Sequence, residues 1–579
     1  MAARSFATVV RAFDDSLAKH PDRTAIHVLE RPAGTFALSY ADLHRAGRRA
    51  ANGFRARHLG AGDRVIVAIP TSRDFFAVYF GALFSGVIPI MVPAPRASRP
   101  MDSHAAQLDV IAGATGATSV VATAEAGQQL STLSPLTIVT PEELCGDGEI
   151  ASLDFTAKDT DVAHLQATSG TTGTPKFAVI RHRNITANVE GIGLAIRHRD
   201  GDSLVTWLPL FHDMGLIGIS YALFWQCPLI ATDAANFVHN PITWLQMISR
   251  FRGTLSPAPN SAYQACARLA KRRTFEDLDL SSWRVALCGA EPVHEETIRQ
   301  FSEAFAGYGF PATTMLPVYG LAEATLAATI PDVDALPHVE RVDAELMESA
   351  GRCLPAPDAK RGASLVSVGP AIPGHRIRIT DSQGLPLRER EIGEVEFAGP
   401  SVIDGYWSDP RDSEALKRAD GFLRTGDLGY LAEGQLYVTG RQKDIIIING
   451  RNLVPAQIEA AMESVIDSDV AHGLVACGMQ DASSKTESLH LLVESRVVPH
   501  PDQAAAEDKL RSALESAFGI GGVRIHWVKR GEIPKTSSGK IQRHRCRELI
   551  RQLGAGALPA VQATPQHQQR STSWIPPTT

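Results

Sequence analysis

The composition of the chain is typical of a globular protein with several domains. Its 579 residues are 44% hydrophobic and 21% charged, and the formal net charge is −6. A chain of this length is expected to form about two to four domains. The weak net charge provides no strong field for nucleic acid or for an anionic membrane surface. We therefore expect no nucleic-acid partner.

The cysteines and the N-terminus indicate a reducing compartment. The seven cysteines are scattered and odd in number and form no CxxC pair, which argues against a zinc site or a disulfide framework. The N-terminus reaches Asp14 and Asp15 before any long apolar run, unlike a signal peptide. These features predict a cytoplasmic protein.

One apolar stretch, residues 75–95, has nearly the length of a membrane span. Glycines and prolines interrupt and close it, however, and these residues break helices. A buried helix over residues 75–85 followed by a short buried strand over residues 87–92 accommodates the breaks better. We therefore expect no stable membrane insertion.

Apolar strand candidates alternate with helical patterns through the first half of the chain. This alternation predicts parallel sheets covered by helices, which is an α/β fold. The strand candidates are residues 63–70, 117–124, 203–210 and 283–290, and the helical candidates are residues 241–251 and 295–305.

The pattern changes toward the C-terminus. Short alternating strands bounded by glycine predict an antiparallel sheet or a small barrel, and they cover residues 364–369, 375–380, 393–399 and 434–440. A compact α+β pattern follows, with helices at residues 455–464 and 504–518 and strands at residues 472–479 and 488–495. The composition of the last residues predicts a disordered tail. We predict a large domain over residues 1–440, a small domain over residues 441–553 and a tail over residues 554–579.

The stretch TSGTTGTPK, residues 168–176, has the composition of a phosphate-binding loop. Backbone N–H groups in a Gly/Ser/Thr turn form an anion-binding concavity, and Lys176 supplies a cation. The stretch is not a Walker loop, because Lys176 follows Pro175 and no Ser or Thr comes next. Taken alone it is equally consistent with a surface linker.

Further segments contain the other parts of a nucleotide site. His212 and Asp213 stand in an apolar run, where uncompensated polar groups are unfavourable. LCGAEPV, residues 287–293, is a strand ending in small residues and an acid. YGLAEAT, from Tyr319, combines an aromatic ring with Glu323, a candidate Mg²⁺ ligand.

Two more segments lie in the last third of the chain. RTGDLGYL presents Asp427, which we predict at a tight turn and suited to accept hydrogen bonds from ribose hydroxyls. PKTSSGK is a second hydroxyl-rich loop with a cation at Lys540, and its simpler interpretation is the start of a basic surface helix.

The order of these segments resembles the adenylate-forming superfamily over roughly residues 10–550. TSGTTGTPK, YGLAEAT, GEVEFAGPSVIDGYW, RTGDLGYL, GRQKDIIIING and PKTSSGK all match in sequence order. LPLFHDMGLIG, GRNLVPAQIE and an insertion-like connection over residues 331–368 look most like a fatty acyl-AMP ligase. The resemblance implies a large domain of two parallel-type α/β subdomains and a β-barrel-like subdomain, followed by a small mobile α+β domain.

The resemblance implies a reaction and its participants. A fatty acid and ATP would form an acyl-adenylate with release of pyrophosphate, and the acyl group would pass to the phosphopantetheine thiol of an acyl carrier protein. That branch is known for an insertion that is thought to hinder the domain rotation needed to use free coenzyme A. The alternatives are a medium- or long-chain acyl-CoA synthetase, an adenylation domain for amino or aryl acids, and a non-catalytic nucleotide-binding module.

The resemblance also implies roles for individual residues. The catalytic residues would be Lys540, Glu323 and His212, with Glu323 as the Mg²⁺ ligand and Lys443 as the hinge between domains. The ATP-binding residues would be Thr168, Ser169, Gly170, Thr171, Thr172, Gly173, Lys176, Asp213, Gly289, Ala290, Glu291, Tyr319, Gly320, Leu321, Ala322, Asp427 and Arg441. One departure is Phe177, where the family usually has glycine, and a bulky ring there would be expected to reshape the phosphate loop.

Overall fold

The computed structural model of the protein describes residues 5–30, 33–95, 100–146, 154–168, 175–358, 362–407, 409–467, 469–480, 487–536 and 540–554. The strands are β1 (Thr24–Glu30), β2 (Gly34–Ser39), β3 (Arg64–Ala68), β4 (Ile88–Met91), β5 (Ser119–Ala122), β6 (Thr137–Val139), β7 (Val162–Thr168), β8 (Lys176–Arg181), β9 (Leu204–Thr206), β10 (Leu229–Thr232), β11 (Leu255–Pro259), β12 (Val285–Gly289), β13 (Met315–Pro317), β14 (Tyr319–Gly320), β15 (Ala327–Thr329), β16 (Val339–Asp343), β17 (Gly362–Val366), β18 (Arg376–Thr380), β19 (Gly393–Ala398), β20 (Leu423–Ala432), β21 (Gln435–Arg441), β22 (Ile446–Ile448), β23 (Arg451–Leu453), β24 (Gly473–Gln480), β25 (Glu487–Ser495) and β26 (Arg524–Lys529). The helices are α1 (Val9–Lys19), α2 (Tyr40–Ala56), α3 (Arg73–Ser85), α4 (Met101–Thr115), α5 (Ala124–Leu130), α6 (Pro141–Leu144), α7 (His182–Ala195), α8 (Asp213–Trp225), α9 (Ala234–His239), α10 (Ile242–Phe251), α11 (Asn260–Ala270), α12 (Glu295–Phe305), α13 (Ala344–Ala350), α14 (Pro410–Leu416), α15 (Pro455–Val465), α16 (Gln503–Phe518) and α17 (Arg543–Gly554).

The chain divides into two compact units. The N-terminal unit comprises Met1–Pro337, Val368–Ile377 and Phe397–Thr425. The C-terminal unit comprises His338–Ser367, Arg378–Glu396 and Gly426–Thr579. The predicted domain boundary after residue 440 stays a prediction, and the predicted tail lies outside the described residues except for Gly554, which ends α17.

The N-terminal unit contains two mainly parallel sheets, as the sequence predicts. A seven-stranded sheet has the order β13-β12-β11-β9-β10-β1-β2, and a six-stranded sheet has the order β6-β5-β3-β4-β7-β8. The pairs β1–β2 and β7–β8 are antiparallel, and the other pairs are parallel. The apolar strands are buried because helices cover them. This confirms the predicted α/β class.

The apolar stretch that resembles a membrane span forms α3 and β4, as predicted. The Ser72 hydroxyl accepts a hydrogen bond from the Phe75 N–H at the start of α3, at 3.2 Å. The helix ends at Gly86, whose φ of +73° favours glycine. At Gly81 a Cβ would lie 2.5 Å from the Ala50 Cβ of α2, so the two helices pack closely. Among the described residues, no helix is long and apolar enough to cross a membrane.

The C-terminal unit has the predicted α+β character. Its sheet β24-β25-β26 is antiparallel between β24 and β25 and parallel between β25 and β26. The strand β26 was not predicted, because its arginine, histidine and lysine residues obscure the strand pattern. A four-stranded sheet has the order β18-β19-β20-β21, but β17 pairs with β16 in a separate sheet. The alternation of side chains along β17 is compatible with more than one partner strand. The sequence pattern therefore does not determine which strand β17 pairs with.

Two buried histidines make the stability of the N-terminal unit depend on pH. Burial lowers the pKa of His164 in β7 to about 3 and that of His182 in α7 to about 4. The unfolded chain binds protons on these residues below about pH 6.5, whereas the folded chain does not. The free energy of unfolding therefore falls as the pH decreases from about 6.5 toward the folded pKa values.

We expect His164→Gln to flatten this pH dependence. The histidine alone accounts for a loss of about 2 kcal/mol in unfolding free energy between pH 6.5 and 4.5. Urea unfolding of the wild type and the variant at both pH values measures the difference. His20→Gln, at an exposed position, is the matched control. Equal slopes for the wild type and His164→Gln would contradict the prediction.

Candidate functional site

The ends of the predicted phosphate loop lie together at the end of the six-stranded sheet. Thr168 ends β7 and Lys176 begins β8, and these two residues are paired across the antiparallel strands. The Thr168 hydroxyl donates to the Lys176 carbonyl at 3.4 Å. Ser169, Gly170, Thr171, Thr172 and Gly173 lie outside the described residues.

An extended segment at residues 405–407 pairs with the edge strand β8. The Val179 N–H donates to the Gly405 carbonyl at 3.1 Å, and the Trp407 N–H donates to the Phe177 carbonyl at 2.8 Å. The Phe177 side chain is 1% exposed and belongs to the core of the six-stranded sheet. The ring therefore packs in the core, and the expectation that it reshapes the phosphate loop stays a prediction, because residues 169–174 lie outside the described residues. Strand alternation directs Phe177 into the core and its neighbour Lys176 away from it.

Lys176 makes two contacts that the sequence analysis missed. Its ammonium group forms an ion pair with the carboxylate of Asp412, in the first turn of α14. It also lies 5.3 Å from the centre of the Tyr406 ring. The Lys176 and Asp412 side chains are 29% and 37% exposed, so the ion pair is partly solvated.

The Tyr406 ring also contacts the predicted magnesium ligand. Its hydroxyl donates to Glu323 Oε1 at 2.7 Å. The backbone near Glu323 is bonded to the same part of the chain, since the Ile403 N–H donates to the Glu323 carbonyl at 3.0 Å. Lys176 and Glu323, which are 147 positions apart in sequence (323 − 176), therefore both contact one tyrosine.

The turn that contains Leu321, Ala322 and Glu323 has a tightly determined backbone. At Gly320 a Cβ would lie 1.9 Å from the Leu326 carbonyl oxygen, so only glycine fits. Thr325 has a φ of +74°, and its hydroxyl donates to the Ser401 carbonyl at 2.6 Å. The turn therefore presents Glu323 from a fixed position.

The Asn188 side chain of α7 is hydrogen-bonded to the same turn. Its Nδ2 donates to the carbonyls of Ala324 and Ala327 at 3.2 and 2.8 Å, and its Oδ1 accepts from the Ala327 N–H at 3.2 Å. Asn188 is fully buried. The only indication of these hydrogen bonds in the sequence is the asparagine at position 188 within the segment ITANVEG.

Other predicted residues line the carboxyl edge of the seven-stranded sheet. Gly289 ends β12, Ala290 and Glu291 follow it, and Tyr319 comes after the parallel neighbour β13. At Gly289 a Cβ would lie 2.9 Å from the Val318 carbonyl oxygen, so the two strand ends approach closely. The Glu291 carboxylate accepts from the Ser261 N–H at 2.8 Å at the start of α11. Ligands of α/β proteins commonly bind at such an edge.

His212 and Asp213 lie at the start of α8. The His212 carbonyl accepts the Leu216 N–H at 2.8 Å, and Asp213 Oδ1 accepts the Met214 N–H at 2.7 Å. Gln166 of β7 donates from Nε2 to the Phe211 carbonyl at 3.0 Å, which ties this helix start to the strand that leads into the phosphate loop. A glutamine in the apolar strand HLQAT was the signal for this contact.

In the C-terminal unit, Asp427 is not at a tight turn. It lies inside β20, where it is buried and paired with Arg441 of β21. Asp427 Oδ1 accepts a hydrogen bond from Arg441 Nε at 2.9 Å. The predicted turn is wrong, because the strand continues through Asp427 with a register shift after Leu428.

The two predicted lysines of the C-terminal unit are exposed. Lys443 lies in a short helical turn, Gln442–Asp444. The Lys540 N–H donates to the Thr536 hydroxyl at 3.1 Å, and the Thr536 N–H donates to the Lys540 carbonyl at 2.7 Å. These bonds join the two residues that flank positions 537–539, which lie outside the described residues.

Comparison with known proteins identifies the family. The model of the AMP-binding enzymes matches residues 13–407. The protein belongs to this family. As a family member it is an enzyme that uses ATP, in agreement with the sequence analysis.

Three similar proteins cover nearly the whole chain. The medium-chain-fatty-acid–[acyl-carrier-protein] ligase of Moorena producens is 32% identical over 88% of this chain and 89% of its own length. A protein of Caulobacter vibrioides, provisionally named an acyl-CoA synthetase, is 30% identical over 88% of this chain and 90% of its own. A solved structure from a study of fatty acyl-adenylate ligases of E. coli and L. pneumophila superposes with a TM-score of 0.87 at 31% identity, over 96% of this chain and 100% of the other. The acyl-adenylate synthetase fold is thereby confirmed.

Proposed function

We propose that the protein is a fatty acyl-AMP ligase. It activates a fatty acid with ATP and transfers the acyl group to the phosphopantetheine thiol of an acyl carrier protein. The observation that carries the proposal is the meeting of Lys176 and Glu323 on Tyr406, beside the paired ends of the phosphate loop. This arrangement offers a cation for phosphate and a carboxylate for a metal ion at one place. We also propose a cytoplasmic location, on the scattered cysteines of the sequence.

The residues around Glu323 fit a magnesium ion. Mg²⁺ is commonly held by one or two carboxylates together with substrate phosphates. Glu323 Oε1 accepts the Tyr406 hydroxyl, and within the described part of the chain Oε2 makes no hydrogen bond. When bound, the ion would neutralise charge on the phosphates during their displacement.

The first half-reaction joins two anions. A carboxylate oxygen of the fatty acid attacks the α-phosphorus of ATP, the new O–P bond forms, and the bond to the β-phosphate oxygen breaks to release pyrophosphate. The phosphate loop and Lys176 hold the β- and γ-phosphates, and Lys540 stabilises the charge between the carboxylate and the α-phosphate. Asp427 and Arg441 bind the ribose, Gly289, Ala290, Glu291 and Tyr319 surround the adenine, and His212 shapes the path of the acyl carboxylate.

The second half-reaction transfers the acyl group. The pantetheine thiolate attacks the acyl carbonyl, a thioester forms, and AMP leaves with the phosphate oxygen. We propose that the small domain over residues 441–553 rotates about Lys443 between the two half-reactions. No cysteine is required as a nucleophile, which agrees with the buried position of most of them.

Contacts inside the C-terminal unit support the carrier protein as the acceptor. The insertion-like segment contributes α13, and its Glu348 accepts a hydrogen bond from Arg451 Nε at 3.0 Å. Arg451 Nη1 also donates to the Phe518 carbonyl at 2.6 Å, at the end of α16. Glu348 is only 4% exposed. The segment is therefore bonded to the small domain, where it would resist the rotation that free coenzyme A requires.

We expect acyl transfer to a phosphopantetheinylated carrier protein and little acyl-CoA formation. Purified enzyme is supplied with ATP, Mg²⁺ and a fatty-acid mixture, together with either the carrier protein or coenzyme A. Mass spectrometry identifies the adenylate and the thioester. Carrier protein that lacks the phosphopantetheine arm is the matched control. Efficient acyl-CoA production would instead favour an acyl-CoA synthetase, in keeping with the provisional name of the Caulobacter relative.

Pyrophosphate exchange with a panel of acids tests the substrate class. Fatty acids are expected to support exchange, since the Moorena relative is named for a medium-chain fatty acid. Exchange with amino or aryl acids alone would contradict the lipid assignment. Absence of exchange with every acid, while ATP still binds, would identify a non-catalytic module.

A further inference from the structure

We propose that Asp412 and Tyr406 are positioning residues for the two charged groups of the nucleotide site. Asp412 acts as an internal counter-ion of Lys176 that the triphosphate displaces, and Tyr406 orients Glu323 for the metal ion. This inference rests on the proposed function, because that function assigns Lys176 to the phosphates and Glu323 to magnesium.

Both residues are fixed by their own surroundings. Tyr406 is bridged to Ala178 of β8, and its N–H donates to the Ser413 hydroxyl at 2.8 Å. The Asp412 N–H donates to Asp409 Oδ1 at 2.9 Å, which caps the start of α14. The backbone that carries the Tyr406 and Asp412 side chains is therefore fixed by hydrogen bonds.

The ion pair between Lys176 and Asp412 is suited to exchange. The two side chains are 29% and 37% exposed, and partly exposed ion pairs contribute little to stability. A triphosphate carries more negative charge than one carboxylate and forms stronger charge-assisted hydrogen bonds with an ammonium group. The lysine can therefore leave Asp412 for ATP, but the competition weakens the apparent affinity for ATP.

The hydroxyl of Tyr406 donates a hydrogen bond to Glu323. It donates to Oε1 and so selects one orientation of the carboxylate, while the aromatic face remains directed to Lys176. A hydrogen bond to an ionised acceptor is among the stronger ones in proteins. Removing the hydroxyl should therefore disturb the metal requirement and leave the lysine contact in place.

The decisive experiment measures steady-state adenylation with Asp412→Asn. We expect the KM for ATP to fall about twofold to fivefold with little change in kcat, because the competing charge is removed. A merely structural role would give an unchanged or higher KM together with a lower melting temperature. Glu414→Gln removes an exposed carboxylate from the same helix and serves as the control.

A double-mutant cycle links the effect to the lysine. In a Lys176→Met background the Asp412→Asn effect on KM should vanish, since no ammonium group remains to be shared. Persistence of the effect in that background, or an unchanged KM in the single variant, would overturn the role of Asp412. If Lys176→Met itself leaves the KM for ATP unchanged, the proposed function of Lys176 fails instead.

Tyr406→Phe is tested by magnesium titration at saturating ATP, followed by the adenylation rate and, separately, by calorimetric binding of Mg²⁺ in the presence of ATP. We expect the Mg²⁺ concentration for half-maximal rate to rise about threefold to tenfold, with the KM for ATP unchanged at high Mg²⁺. Tyr308→Phe is the control, because it also removes a tyrosine hydroxyl that takes part in a hydrogen bond, here with the Phe275 N–H. An unaltered magnesium requirement in a folded Tyr406→Phe enzyme would overturn the role of Tyr406 and leave the proposed function standing.

Discussion

Lys540→Ala is expected to lower the rate of adenylate formation by about 10²- to 10³-fold, which is the usual effect of removing one group that stabilises transition-state charge. A carboxylate that attacks a phosphate must overcome repulsion between two anions, so a cation at that point acts mainly in the transition state. ATP binding should change little. Pyrophosphate exchange measures the rate, and calorimetric titration with ATP measures the binding.

The substitution Lys540→Ala is not expected to disturb the local structure. The Lys540 side chain is exposed, and Lys540 is bonded to Thr536 through its backbone N–H and carbonyl groups, which alanine retains. Lys535→Ala, at the exposed residue that precedes Thr536, is the matched control for loss of positive charge. Near-normal exchange in Lys540→Ala, with the control also active, would remove Lys540 from the mechanism.

Glu323→Gln should lower the adenylation rate by a similar factor of about 10²–10³ and weaken its dependence on Mg²⁺. Glutamine retains an oxygen that can accept the Tyr406 hydroxyl, and the backbone bonds of the turn are untouched. The variant should therefore fold as the wild type does. What it loses is the negative charge that would hold the metal ion.

The measurement is the initial rate of adenylate formation across a range of Mg²⁺ concentrations, with thermal unfolding as the check on folding. Glu125→Gln, an exposed carboxylate of α5, controls for the general effect of losing a negative charge. A rate within a fewfold of the wild type and an unshifted Mg²⁺ curve would show that Glu323 does not hold the metal.

The fold was largely readable from local pattern. The α3–β4 stretch has apolar residues on every face, broken by Gly86 and Pro89, and that pattern specifies a buried helix and strand whatever their neighbours are. The strand β17 and the residue Asp427 were interpreted less well. Alternation does not say which strand is the partner, and glycine is compatible with both a turn and a bulge.

Phe177 shows why the candidate site was only partly readable. In the sequence it is a bulky residue beside a phosphate loop. In the structure its position in β8 directs the ring into the core. The opposite alternation turns Lys176 toward Asp412 and Tyr406. Asp412 stands in an ordinary polar stretch, and nothing in its neighbourhood in the sequence predicts a contact with a lysine 236 positions earlier (412 − 176).

The sequence by itself determined the α/β class, the order of the motifs and the family, because these depend on periodicity and on short runs of residues. Tertiary structure alone decided that Tyr406 contacts both Lys176 and Glu323, that Asp412 neutralises Lys176, and that Asn188 fixes the turn at Glu323. The physical reason is that such contacts arise where strand pairing and helix packing bring distant segments within about 3 Å, the range of a hydrogen bond. The residues next to each other in the sequence do not indicate which distant segments come this close.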